Sequence, residues 1–385
     1  MIRHHDRLSK KMAFRMRELE SNSQMRELCE IPGINLCSND YLGLATDPRL
    51  AAAVIEGVEQ CRKIAATGSR LLSGHDVVWE QLEQEFAAFA GTEASLFFNS
   101  GFAANTGLLS AVLGPDDLVF SDELNHASII DGLRLSGAQK IIYPHGDLNF
   151  LEDSLRRRKS SGSQVIVTES IFSMNGDRAP LAEIFQLAAT YGAEVIVDEA
   201  HATAACGPGG RGLLAAHGLE KQALASIHTC GKALASVGAF VCGRRLVKQF
   251  LINHSRPFIF STALPPYLAW QIRAALRLAQ TMNSEREHLS LLSIRLRKSM
   301  ELLGYSTGSS SSHIVPLIVG GNEATLRFAS ALQEQGFAVR AIRAPSVPPG
   351  TERLRISLTA ALTMGDLERF AGAICSLSSP GLAHA

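Results

Sequence analysis

Lys232 closes the stretch Ala223-Leu-Ala-Ser-Ile-His-Thr-Cys-Gly-Lys232, where an apolar run meets one glycine and then an amine. An ammonium is costly to bury, so a lysine at the mouth of a strand either turns to water or works with a lowered pKa. Taken alone, a solvated turn is the better reading. A second stretch, Ala193-Glu-Val-Ile-Val-Asp-Glu-Ala-His201, alters the balance. There an apolar run delivers the carboxylate of Asp198 to its end, and the imidazole of His201 follows three residues on. The separation from Asp198 to Lys232 leaves room for a crossover and a strand. An acid, an imidazole and an amine are therefore expected at the ends of two parallel strands.

Three more strand ends add polar groups. Asn99-Ser-Gly-Phe-Ala-Ala-Asn105 reads as a strand–Gly–helix turn, whose free N–H groups suit an anion such as a phosphate. Thr229 can add a hydroxyl from a neighbouring strand end. His126 follows a strand ending near Phe120, where it can stack on a flat ring, and Ser173 follows a strand at 165–168. Each has an ordinary structural explanation, but one site accounts for all of them together. Asp198, His201 and His126 could instead hold a metal. A hydrolytic zinc site has no use for a strand-end lysine, however, and no His-Glu-x-x-His spacing occurs. A P-loop is absent, and Gly207-Pro-Gly-Gly-Arg-Gly212 lies too far past its strand to form a dinucleotide turn. A phosphate cradle, an acid for a ring nitrogen and a poised amine are what pyridoxal phosphate requires.

These groups need a frame. Apolar runs at 94–98, 118–121, 140–143, 165–168, 194–198, 223–228 and 239–242 alternate with helical segments. Several are apolar throughout, as strands covered on both faces are. The pattern predicts an α/β fold with a mostly parallel sheet and helices on both sides. Residues 76–90 form an amphipathic helix with Val78, Leu82, Phe86 and Phe89 on one face, Asp76 as cap and Gly91 as stop. Beyond 262 the pattern predicts a long helical stretch (267–303), a strand (314–319), a helix (323–335) and a strand (337–342). Arg353-Leu-Arg-Ile-Ser-Leu358 alternates with period two, as in a half-exposed antiparallel strand. The expected division is an amphipathic arm at 1–37, a large domain at 38–262 and a smaller α+β domain at 263–385.

Lys plus Arg and Asp plus Glu number 37 each, so no basic field argues for nucleic acid or an anionic membrane. The seven cysteines form no Cys-x-x-Cys pair and read as reduced thiols. With no signal-like N-terminus and no membrane-length apolar run, the expected location is the cytoplasm.

With these residues in view, the chain resembles the fold-type I pyridoxal-phosphate enzymes and, among them, the α-oxoamine synthases. The likeness rests on Ser38-Asn-Asp-Tyr-Leu-Gly43, Gly68-Ser-Arg-Leu-Leu-Ser-Gly74, Ser100-Gly-Phe-Ala-Ala-Asn105, His126-Ala-Ser128, Thr168-Glu-Ser-Ile-Phe-Ser-Met174, Asp198-Glu-Ala-His201, Thr229-Cys-Gly-Lys232 and Arg256-Pro-Phe-Ile-Phe-Ser-Thr262. Ala341-Ile-Arg-Ala-Pro-Ser-Val-Pro-Pro-Gly-Thr351 and Arg353-Leu-Arg355 resemble the branch that makes 8-amino-7-oxononanoate for biotin synthesis. Ser346 stands where that branch usually has threonine, Asn175 where it has aspartate, and a glycine-rich run reads Ala-Ala-Thr-Gly at 65–68.

The resemblance implies that Lys232 carries pyridoxal phosphate as a Schiff base. Gly101, Phe102 and Thr229 would surround the cofactor, with His126 stacked on its ring. Ser173 and His201 would hydrogen-bond it, and Asp198 would pair with the pyridine nitrogen. Lys232, His126, Asp198 and His201 would act in catalysis. Arg15 (or Arg17 beside it), Asn39, His126, Ser346 and Arg355 would meet substrate. The implied reaction joins L-alanine to a pimeloyl thioester of CoA or of a carrier protein, in a homodimer. Another α-oxoamine synthase, a same-fold aminotransferase or carbon–sulfur lyase, and a non-catalytic descendant remain as alternatives.

Overall fold

The computed structural model describes residues 6–157 and 161–378. The first five residues of the expected arm and the last seven of the chain lie outside them. In chain order the strands are β1 (Ile34–Asn35), β2 (Ala94–Phe98), β3 (Leu118–Asp122), β4 (Gln139–Tyr143), β5 (Gln164–Glu169), β6 (Glu194–Asp198), β7 (Ala225–Thr229), β8 (Ala239–Gly243), β9 (Ile314–Ile318), β10 (Phe337–Ala338), β11 (Ala341–Ile342) and β12 (Arg353–Ser357). Strands β2 to β8 make one sheet in the order β2-β8-β7-β6-β5-β3-β4. Only β8 runs against its neighbours β2 and β7, so the sheet is mostly parallel, as the apolar runs predict.

Alternate residues of one strand enter different cores. Val195 and Val197 of β6 join one buried cluster while Ile196 joins the cluster on the opposite face. Both faces are therefore covered, which is why these strands read as unbroken apolar runs. The strand order reverses between β3 and β5, and the carboxyl ends of β2, β3, β5, β6 and β7 share one edge. A crevice at such a reversal is where open α/β sheets bind ligands.

Of the helices, α1 (Arg7–Ser21) buries no residue and exposes Leu8, Met12, Phe14 and Met16. Next come α2 (Pro48–Gln60), with Pro48 in its first turn, and α3 (Val77–Ala90), capped by the Asp76 side chain on the Val78 N–H and stopped by left-handed Gly91. The apolar face of α3 is core: Phe86 stacks on Phe240 with centroids 3.9 Å apart, and Trp79 on Phe97 at 4.4 Å. Helices α4 (Gly101–Val112) and α5 (Ala127–Ser136) pack on each other and begin at the ligand edge. No helix among the described residues is long and apolar enough to cross a membrane.

The C-terminal third departs from its sequence pattern in three places. The expected helical stretch 267–303 is two helices, Leu268–Thr281 and Asn283–Leu302, broken at Met282 where ψ is 51°. The expected strand 337–342 is two short ones in different sheets: β10 pairs in parallel with β1, while β11 pairs with β12. Most consequential, β12 is antiparallel to both β11 and β9 but is not half-exposed, because all five of its residues are buried. Its polar side faces the loop at 170–178. There the Arg353 Nη1 donates to Asn175 Oδ1 at 2.7 Å and the Arg355 Nε donates to the Ser173 carbonyl. Period-two alternation shows which residues share a face, but not whether another element covers that face.

That loop is riveted from the other side by His145. Its Nδ1 meets Asp122 Oδ1 at 2.9 Å, its Nε2 meets Asp177 Oδ2 at 2.7 Å, and its ring stands edge-on to Phe172. Burial alone would lower the imidazole pKa, but the hydrogen bonds from Asp122 and Asp177 outweigh it and carry the pKa up to about 10. An unfolded histidine titrates near ~6.5. The clamp's stabilisation is therefore fully present below that value and is lost as pH rises through 10. The gap in urea midpoint between wild type and His145→Gln should shrink steadily between those two values. A gap that stays constant with pH would show that no imidazolium is involved.

Candidate active site

Lys232 sits in the tight connection between the antiparallel strands β7 and β8. The Cys230 N–H donates to the Gly238 carbonyl, the Ser236 N–H to the Cys230 carbonyl and the Ala235 N–H to the Lys232 carbonyl. The left-handed residues of this turn are Ala235 and Gly238 (φ 42° and 79°). Gly231 needs no unusual φ because the chain reverses later. The lysine side chain is half-buried, and its Nζ lies 2.8 Å from His201 Nε2. Burial pushes the amine's pKa down, the carboxylates of Asp198 and Glu169 pull it partly back, and the result is about 8.

His201 is buried, and its other nitrogen, Nδ1, lies 2.6 Å from the Tyr41 hydroxyl. Burial and then the Lys232 charge hold the imidazole well below its usual pKa, so it is neutral. Tyr41 in turn reaches Asn39 Oδ1 at 3.0 Å, which also accepts from Arg355 Nη1 at 3.2 Å. Thus Lys232, His201, Tyr41, Asn39, Arg355 and the backbone of Ser173 form one connected network. It runs from the edge of the large sheet to β12.

A second network holds Asp198. Its Oδ2 accepts from Asn105 Nδ2 at 2.6 Å and its Oδ1 from the Ala200 N–H at 2.8 Å. The Asn105 amide also donates to Ser128 Oγ at 3.0 Å, and that hydroxyl meets His126 Nδ1 at 2.7 Å. The pKa of His126 is lowered, chiefly by burial and against the pull of Asp198. The residue keeps part of its surface in solvent.

The anion cradle is built from α4 and β7. Ser100 caps α4 by accepting from the Ala103 N–H, which leaves the Gly101 and Phe102 N–H groups in the first turn without intrahelical acceptors. A Cβ on Gly101 would lie 2.6 Å from Thr229 Cγ2, so only glycine lets the helix start approach β7 this closely. First-turn N–H groups, a neighbouring hydroxyl, a fixed carboxylate and a depressed amine at one sheet edge suit pyridoxal phosphate.

Not every expected residue joins this constellation. Arg15 lies on the exposed face of α1 and has no hydrogen bond or ion pair within the described residues. Ser346 is exposed, and its hydroxyl accepts from Arg26 Nη2 at 3.2 Å. Within one chain, neither is tied to Lys232. Conversely, Tyr41, Asn105 and Glu169 are central although the sequence assigned them no role. Asn105 carried a signal, because an amide amid the apolar residues of α4 is out of place. Glu169 carried another as an acid ending an apolar strand; it is in register with Asp198 on β6 and fully buried. Burial, then the Asp198 charge, raises its pKa well above the usual carboxylate value. Tyr41 gave no such signal, since its partner lies 160 positions away.

Known proteins share this architecture. The family profile "Aminotransferase class I and II" matches residues 31–374. An 8-amino-7-oxononanoate synthase of Anaeromyxobacter dehalogenans is 44% identical over 345 residues, covering 89% of this chain and 86% of its own. Among solved structures, a serine palmitoyltransferase from S. paucimobilis with PLP and myriocin bound superposes with a TM-score of 0.88 at 30% identity, covering 96% of this chain and 98% of its own. An 8-amino-7-oxononanoate synthase from Francisella tularensis superposes at 0.78 with 28% identity, covering 90% and 97%. The chain belongs to the class I and II aminotransferase family and, within it, to the 8-amino-7-oxononanoate synthases.

Proposed function

We propose that this chain uses pyridoxal phosphate to condense L-alanine with a pimeloyl thioester of CoA or of a carrier protein. The products are 8-amino-7-oxononanoate, CO2 and the free thiol. The observation that carries the reading is the Lys232 amine, whose hydrogen-bond partner is a neutral imidazole and not a carboxylate. A lysine kept for stability is paired with an acid; one left this way is kept for its chemistry. The product follows from the name of relatives that are 43–44% identical to this chain over 344–345 aligned residues, and the substrates are the pair whose condensation gives it.

When bound, pyridoxal phosphate supplies an aldehyde for an amino group and a ring that takes up the electron pair left at the amino acid's Cα. The Gly101 and Phe102 N–H groups with the Thr229 hydroxyl would hold the phosphate, and His126 would lie against the ring. Asp198, fixed by Asn105 and the Ala200 N–H, would keep a proton on the pyridine nitrogen. His201 and Ser173 would face the phenolic oxygen. Lys232 would hold the aldehyde. Its free amine, with a pKa of about 8, would be basic enough near neutral pH to move a proton at Cα. Arg355 spends Nε and Nη1 on Ser173 and Asn39, and its remaining N–H groups suit the alanine carboxylate. The chain works as a cytoplasmic homodimer, in which the exposed apolar side of α1 packs on a second copy and brings Arg15 to that copy's site. Ser346 meets the acyl substrate.

Free thiol should appear from pimeloyl-CoA only when L-alanine is present. Keto acid from alanine with the thioester intact would instead mean an aminotransferase. Lys232→Ala should fold but retain no cofactor after borohydride treatment, and retained covalent cofactor would remove the lysine from its role. Asp198→Asn should bind cofactor yet lose roughly 10²-fold in kcat; near-normal turnover would contradict its assignment. Because the amine titrates at about 8, cofactor capture by the cofactor-free chain should rise with a midpoint there. A midpoint near the ordinary lysine value of ~10.4 would show an amine that is not depressed.

A further inference from the structure

The hydrogen bonds behind His201 have a direction, and Arg355 sets it. A guanidinium has five N–H donors and no acceptor. Its Nη1 lies 3.2 Å from the Asn39 side chain, so the amide must turn its oxygen to that contact. The Tyr41 hydroxyl lies 3.0 Å from the same oxygen. Two oxygens this close are held by a proton between them, and of the two only the phenol has one to give; Ser357 Oγ, 3.4 Å from the same amide oxygen, is a further donor to it. Burial raises the Tyr41 pKa, so that proton stays on the phenol. With its single hydrogen committed to Asn39, Tyr41 can meet His201 Nδ1, 2.6 Å away, only as an acceptor. The hydrogen on that contact therefore belongs to Nδ1. A neutral imidazole carries one N–H, so Nε2 is left with a bare lone pair aimed at Lys232 Nζ.

We infer that Tyr41, itself oriented by Asn39 and Arg355, is a positioning residue that locks His201 in the Nδ1–H tautomer, so that Nε2 faces the lysine and any bound group as a proton acceptor. A ligand atom that replaces the amine at Nε2 must bring its own hydrogen. In the proposed reaction a cofactor atom set against Nε2 would have to be a hydrogen-bond donor to be held there. The lock is supplied across the two sheets, because Arg355 belongs to β12 while His201 follows β6. Separating β12 from the large sheet would release Asn39, then Tyr41, and leave His201 free to exchange tautomers. The consequence for the cofactor rests on the proposed role of Lys232; the tautomer does not, and the two are measured separately.

The test is nitrogen NMR of the full chain labelled with 15N-histidine, cofactor-free and cofactor-loaded, with the His201 signals assigned by their loss in His201→Gln. In the cofactor-free wild type, Nδ1 should resonate as a protonated ring nitrogen and Nε2 as an unprotonated one. The reverse pattern would overturn the inference. In Tyr41→Phe the signals should move toward a mixture of tautomers, and an unchanged tautomer in a folded variant would show that Tyr41 does not set it. If Tyr41→Phe fails to give a native near-UV spectrum, Asn39 provides the second arm. Asn39→Asp keeps an acceptor facing Arg355 and should retain the wild-type tautomer, whereas Asn39→Ala should lose it. Equal signals in those two variants would count against the chain of donors. None of these readings requires thioester turnover, so a chain with other substrates would still give them.

Discussion

An amine enclosed at a sheet edge with a neutral imidazole as its hydrogen-bond partner is the constraint around which this molecule is arranged. Desolvation disfavours the ammonium of Lys232, and no carboxylate among the described residues lies at hydrogen-bond distance to restore it. Asp198 and Glu169 act on it only through space. Of these two acids, in register on neighbouring strands, Asp198 accepts from Asn105 and the Ala200 N–H, while Glu169 takes a backbone hydrogen bond from His126. Burial and the neighbouring Asp198 charge push the Glu169 pKa well above the usual carboxylate value. An amine near pKa 8 is the outcome of that balance, and moving either acid would disturb it.

The surrounding structure keeps these few groups still. Ser100 and Gly101 bring α4 against Thr229, and α4 also carries the amide that aims Asp198. On the other side the loop at 170–178 is clamped between His145 and the arginines of β12. Gly176 shows how tight the closure is: φ is 70°, and a Cβ there would fall within 2 Å of the Ile314 carbonyl. The buried arginines of β12 satisfy loop carbonyls, which an apolar strand could not do, and Arg355 also holds the Asn39 amide.

Much of this was legible in the sequence, for reasons that are local. The seven large-sheet strands are short apolar runs because both faces are covered, and Asp76 and Gly91 bound α3 by cap chemistry that acts within a few residues. Asp198, Lys232 and the turn at Ser100–Gly101 stand out because each breaks an apolar run at a strand end. The splitting of 337–342 was not legible, since two residues pair with β1 and two with β12, elements on either side of it in the chain. Nor was the burial of Arg353 and Arg355, which depends on a loop nearly 180 positions earlier.

The sequence by itself determined which chemical groups the protein has and the strand or helix end on which each sits, because caps, turns and apolar periodicity are short-range interactions. Only the tertiary structure decided which groups touch. Tyr41 against His201, Glu169 beside Asp198 and Arg355 on Asn39 are contacts between distant segments, set by how the sheets and helices pack. The directions of their hydrogen bonds, and so the protonation of the site, follow from those contacts and from no residue read alone.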